Sequence, residues 1–230
     1  GWDGAVSHLA APPPETLPRI AIGGIFVILW RGRGQLLGIL PVLAGFVLWF
    51  MADRPAILIS DDGSLIGRIG AEGRVLNKAK GAGFVASVWL ENDGDFADQI
   101  TAAARDMPVL DLPGLSIAHV SGRGWQEATR RACVDHDFVV INQIWQEAVP
   151  EGCLLVDVGF LRQSGALALS PRGETVEMRT AYATSGVRLW NTPALRGPRG
   201  GEAREARDAL PPMVLGARFA PDTVRLANRQ

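Results

Sequence analysis

Three histidines, His8, His119 and His136, are the only imidazoles in the chain, and the run Val134-Asp135-His136-Asp137 sets two carboxylates beside the third. Imidazole plus carboxylate is the chemistry of a metal-assisted hydrolase. In such a site several of these groups converge on one or two ions and acidify a bound water. Convergence depends on spacing. A His-x-His-x-Asp-His run supplies it, and no two histidines here stand that close. Neighbours in sequence point in different directions on a helix or a strand, so Asp135, His136 and Asp137 cannot close on one ion alone. His136 reads as the C-terminal residue of a helix, where a cationic ring suits the dipole. His119 reads as a structural residue on a strand.

A serine nucleophile is no easier to assemble. There is no Gly-x-Ser-x-Gly turn. Ser121 follows His119 closely but has no evident acid to orient the imidazole. The stretch Ser121-Gly122-Arg123-Gly124 lacks the Gly-Lys-Ser/Thr of a phosphate loop and reads as a turn. The expectation is a non-enzymatic chain that needs no metal or cofactor. A net charge of −1 supplies no global basic field of the kind a dedicated nucleic-acid binder carries.

The elements that would position these groups begin with an apolar front. Residues 20–30 are wholly apolar or glycine, and residues 36–52 form 17 positions without a charge. Between them lies Arg31-Gly32-Arg33-Gly34-Gln35. An arginine at the centre of a bilayer costs about 2.5–3.5 kcal/mol on insertion scales, so two membrane helices joined by a turn at 31–35 are expected. Basic residues in short loops stay in the cytoplasm, which puts Arg31 and Arg33 there and everything from Asp53 onward on the other side. Trp30, Trp49 and Phe50 fall near the helix ends, where interfacial aromatics belong. Pro41 should kink the second helix, which neighbouring helices would tolerate. The alternative is a buried hairpin of a soluble protein, for which a charge-free run this long is unusual.

Cys133 and Cys153 allow one disulfide or two free thiols. An extracytoplasmic, oxidising position favours the bond. Residues 53–190 read as an α/β or α+β domain. A meander turns at Asp61-Asp62-Gly63 and Ala71-Glu72-Gly73. Helices follow over 83–95 and near 95–107, then a strand at 115–120, a helix at 124–136 and a buried strand at 137–143. A strand runs into a short helix at 158–163, and a hairpin turns at Pro171-Arg172-Gly173. Residues 1–19 read as an extracytoplasmic connecting segment of a longer protein. Residues 191–230, with seven arginines against four acids, read as a disordered tail.

In this order the stretches "LWRGRGQLLGILP", "RPAILISDDGSLIGRIG", "VWLENDGD", "RACVDHDFVVIN" and "RQSGALAL" resemble the C-terminal end of the ComEC family of DNA-internalisation (competence) proteins. The resemblance runs from residue 1 to about 190. It implies the last two helices of a polytopic bacterial inner-membrane protein, followed by an extracytoplasmic metallo-β-lactamase-like domain. Without the metal motif, that domain resembles a degenerate, non-catalytic branch. The implied partners are a transported single strand of DNA, the lipid bilayer, the remaining transmembrane helices and other DNA-uptake proteins. Arg68, Arg74, Lys78, Lys80 and Arg123, with Arg130 and Arg131, are the candidate contacts to DNA phosphates. The rival expectation is a membrane-tethered extracytoplasmic nuclease or hydrolase with unusual metal ligands at His136 or Asp137.

Overall fold

The computed structural model describes residues 10–186 and Met213–Leu215, so the expectations for residues 1–9, His8 among them, and for most of 191–230 lie outside the described residues. The chain is mixed α/β and divides into two compact units. One holds the residues up to Arg54 together with Trp89–Phe96, and the other holds Pro55–Val88 and the residues from Ala97 on.

The first unit is built on two helices, α1 (Thr16–Leu29) and α2 (Ile39–Phe50), the second preceded by a 3-10 segment, Arg33–Gly38. α1 starts four residues earlier than the apolar run. Pro18 sits in its first turn, where the absent N–H would have had no partner in any case. The bend is tighter than the expected turn at 31–35. The chain leaves α1 at Leu29, Gly32 adopts φ 94°, and Arg33 already begins the 3-10 segment. Pro41 is the third residue of α2 rather than an internal kink. Its ring crowds the carbonyl four residues back, and the turn before it winds as 3-10 instead of α.

These helices bury small residues against each other. A Cβ on Gly23 would stand 2.6 Å from the Gly38 carbonyl oxygen, and one on Gly45 would stand 2.6 Å from Cγ1 of Ile20. Thr16, Gly23, Gly38 and Gly45 are the buried positions of the pair. Close backbone approach through small residues is the packing that serves helices with no hydrophobic drive to associate. In the same unit, the Ala11 amide donates to the Asn92 carbonyl and the Trp49 indole N–H to the Ala10 carbonyl.

The second unit contains two sheets. The larger has the order β3-β2-β1-β7-β8-β9 and is antiparallel throughout, with β1 at Ile57–Ile59, β2 at Ile66–Gly70, β3 at Gly73–Leu76, β7 at Leu167–Arg172, β8 at Thr175–Thr180 and β9 at Met213–Leu215. The smaller is parallel, β4 (Ile117–Val120), β5 (Phe138–Ile141) and β6 (Leu154–Val156). Between the strands lie helices α3 (Gly83–Asp93), whose residues from Trp89 on belong to the first unit, α4 (Gln99–Ala104), α5 (Trp125–Asp135), α6 (Val158–Ser164) and α7 (Ala181–Ser185). The β2–β3 turn is Ala71-Glu72. The β7–β8 turn is Gly173-Glu174, two residues beyond the expected start, with Gly173 at φ 63°; positive φ is what a two-residue hairpin loop requires.

Period-two alternation builds the core between the sheets. Ile57 and Ile59, Leu167 and Leu169, and Val176 and Met178 all point inward and meet Phe138, Val140 and Val156 from the parallel sheet. The other face of that sheet, Val139, Ile141 and Leu155, packs with Cys133, Trp125 and Trp145. β5 is buried at all four positions, which is why "FVVI" reads as an unbroken apolar run rather than an alternation. Each such side chain contributes about 1.5–3 kcal/mol when fully buried.

Candidate functional site

The helix pair turns its large apolar side chains outward. Ile28 is 80% exposed, Phe50 90%, and Ile22, Ile25, Leu36, Leu37, Leu40, Leu43 and Val47 are exposed as well. Monomers in water rarely present such a continuous surface. One segment, Arg33–Phe50, is long and apolar enough to cross a membrane. Six residues at about 2.0 Å of rise and twelve at about 1.5 Å carry it through about 30 Å, the thickness of a hydrocarbon core. The 14 residues of α1 cover about 21 Å. Arg31 and Arg33 are exposed at the bend between them.

The structure separates the basic candidates of the second unit. Arg74 is fully buried. Its guanidinium donates to the Gly67 and Pro55 carbonyls, so it is an internal brace and unavailable to a phosphate. Nothing in the short strand "GRVL" marks it as buried except Gly67 on the neighbouring strand. A Cβ there would stand 2.8 Å from Arg74 Cδ. Arg68 is half-buried. Its Nη1 donates to the Leu110 carbonyl while its Nε has no partner. Burial lowers its pKa, and Asp111 opposes that shift. Arg130 lies within 2.6 Å of Glu147 and 3.3 Å of Glu127, and Arg131 is 3.2 Å from Glu127, so both are largely neutralised. Lys80 and Arg123 remain as exposed cations.

Lys78 belongs to a polar network that sequence reasoning missed. The β1–β2 connection folds on Asp62, whose carboxylate accepts from the Ser60 and Ser64 hydroxyls and the Ser64 amide. Lys78 Nζ donates to Ser64 Oγ at 2.6 Å. Burial pushes the Asp62 carboxyl up, but those three donors with the Lys78 charge outweigh it and hold it below the usual range. His119 Nε2 lies 3.1 Å from the Gly63 carbonyl oxygen, which can only accept, so Nε2 carries the proton. Nδ1 faces Asn77 Nδ2 at 3.4 Å. Asn77 Oδ1 in turn accepts from the Ile66 amide. The serines and the aspartate read as turn-formers in sequence, which concealed that Lys78, just past β3, would reach Ser64 and that His119 on β4 would reach the Gly63 carbonyl of the same turn.

Burial lowers the His119 pKa below its ordinary value of about 6.5; the Gly63 hydrogen bond opposes this, and Lys78 adds to it. The folded chain therefore holds fewer protons than the unfolded one just below that value. The stability contribution is present above about pH 6.5 and is lost as pH falls through the folded pKa. Urea unfolding between pH 7.5 and 5 should show the midpoint falling with pH, and His119→Gln should flatten that dependence.

Among the described residues, no group of three or more His, Cys, Asp or Glu side chains could hold a metal ion. His136 caps the C-terminus of α5 through its amide. The Asp137 carboxylate is held by the Ser116 amide and hydroxyl.

Cys133 on α5 and Cys153, just before β6, are joined by a disulfide with Cα atoms 5.2 Å apart. The bond ties the outer helix to the sheet it covers. A sequence separation of 20 corresponds to about 3 kcal/mol of lost unfolded-state entropy. Cys133→Ser with Cys153→Ser should lower the unfolding free energy by about that amount, and added reductant should change nothing further in the double variant.

No family model, curated protein or solved structure matches this chain.

Proposed function

We propose that this chain is the C-terminal part of a multi-pass bacterial inner-membrane protein that carries single-stranded DNA across that membrane. The helix pair would belong to a larger bundle, with Arg31 and Arg33 facing the cytoplasm. The mixed α/β unit would be a non-catalytic extracytoplasmic module related to a degenerate metallo-β-lactamase-like domain. The observation that carries this reading is the inside-out helix pair, with glycines within and Ile, Leu and Phe outside. In lipid or against further helices that surface is satisfied, and a short span such as α1 is accommodated by neighbours and local thinning. The cysteine bond suits an oxidising compartment, and the order of motifs resembling the ComEC family supplies the cargo.

The test is binding of a labelled oligothymidylate to the full chain in detergent micelles. Affinity should fall linearly with salt on a log–log scale, as expected when phosphate counterions are released. Removal of the gene from its host should abolish transformation by added DNA. Salt-independent binding, or none, would contradict the reading.

A further inference from the structure

We infer that residues 78–84 form a stacking site for one nucleotide of single-stranded DNA, with Phe84 under the base and Lys80 at the phosphate. This deepens the transport reading and rests on it.

Phe84 is the second residue of α3, with its side chain 83% exposed. Lone exposed apolar residues are ordinary, but the backbone that presents this one is fixed from several sides. Gln99 Nε2 donates to the Lys78 carbonyl at 3.1 Å and to the Gly81 carbonyl at 2.6 Å. Lys78 is held by Ser64 at the loop's start. Ala82 stands at φ 58°, the one non-glycine residue with positive φ among those described. A residue other than glycine in that region costs on the order of 1–3 kcal/mol and persists where its surroundings over-determine it.

The pinned loop therefore presents an aromatic ring without first having to be ordered. Its neighbours Gly81, Ala82 and Gly83 add almost no bulk, which leaves the ring open to a flat partner. Lys80, four positions before Phe84, is exposed and makes no ion pair among the described residues. Asp98, at the start of the adjoining α4, accepts from the Thr101 amide and so is engaged at its own helix end. An exposed aromatic ring and a free cation within one short pinned segment make the recognition pattern for a single strand, which exposes bases and phosphates together. A duplex hides its bases, and a lipid surface calls for a cluster of bulky apolar side chains.

The experiment is fluorescence anisotropy of labelled oligothymidylate with the full chain in micelles, run alongside flotation with phosphatidylglycerol vesicles. Phe84→Ala should weaken DNA binding by roughly 5- to 100-fold, the worth of one stacked base. Phe84→Trp should bind at least as tightly as the parent. Lys80→Gln should reduce the salt slope by about one. Circular dichroism verifies that each variant is folded. If the parent binds DNA and Phe84→Ala binds equally well, this inference fails while the transport reading stands. If the folded parent binds no DNA, the transport reading itself fails and takes the site with it. If Phe84→Ala loses vesicle binding but keeps DNA binding, the loop is a lipid anchor and the inference is overturned.

Discussion

A Gly23→Leu chain is expected to lose its packed helix pair, while Gly24→Leu, one position along, is expected to behave as the parent. The difference lies in what each new side chain would meet. At Gly23 even a Cβ would be 2.6 Å from the Gly38 carbonyl oxygen and 2.7 Å from Val42 Cγ2. One of those neighbours is backbone and cannot swing away, so the helices must separate. At Gly24 nothing lies within 4 Å. Overpacking a close interface costs about 1–3 kcal/mol, and on the proposed membrane reading the pair has little hydrophobic drive with which to offset it. Limited proteolysis in micelles reads the result. The Gly23 variant should be cut in or near α1 at protease levels that leave the parent and the Gly24 variant intact. Equal resistance in all three would show that the glycine contact contributes nothing.

The second large effect is expected at Arg74. Its guanidinium supplies hydrogen bonds to the Gly67 and Pro55 carbonyls inside the sheet. Arg74→Met keeps much of the volume and removes the donors. Each buried acceptor left unpaired costs about 1–3 kcal/mol, so a loss of about 2–5 kcal/mol is expected from urea unfolding. Lys80→Met, an exposed lysine six residues on, should stay within about 0.5 kcal/mol. Gly67→Ala should reproduce part of the Arg74 loss, because its methyl would occupy the space of the arginine stem. If Arg74→Met is as stable as the parent, the brace is not one.

Much of the second unit was legible because its strands carry strong local signals. "ILI", "FVVI" and the hairpin turns after β2 and β7 announce themselves through β-branched runs and Glu-Gly or Arg-Gly punctuation. What escaped is non-local. The burial of Arg74 depends on an empty place on the next strand. The network around Asp62 gathers Ser60, Ser64, Asn77, Lys78 and His119 from three separate stretches, and local composition carries no record of that convergence. The helix pair shows the same division. Its apolar content was plain, but its start at Thr16 and the resumption of helical turns at Arg33 follow from one proline and one glycine. Residues 191–230 read as a disordered tail, and within that stretch Met213–Leu215 pairs with β8.

The membrane reading rests on the two arginines at the bend lying across a bilayer from the α/β unit, and topology reporters measure that directly. Alkaline phosphatase fused after Asp53 should be active and its fusion at Gln35 inactive, with a cytoplasmic reporter giving the reverse pattern at both points. Activity of the same reporter at both positions would place the bend and the α/β unit in one compartment, and neither α2 nor the helix pair could then span the membrane.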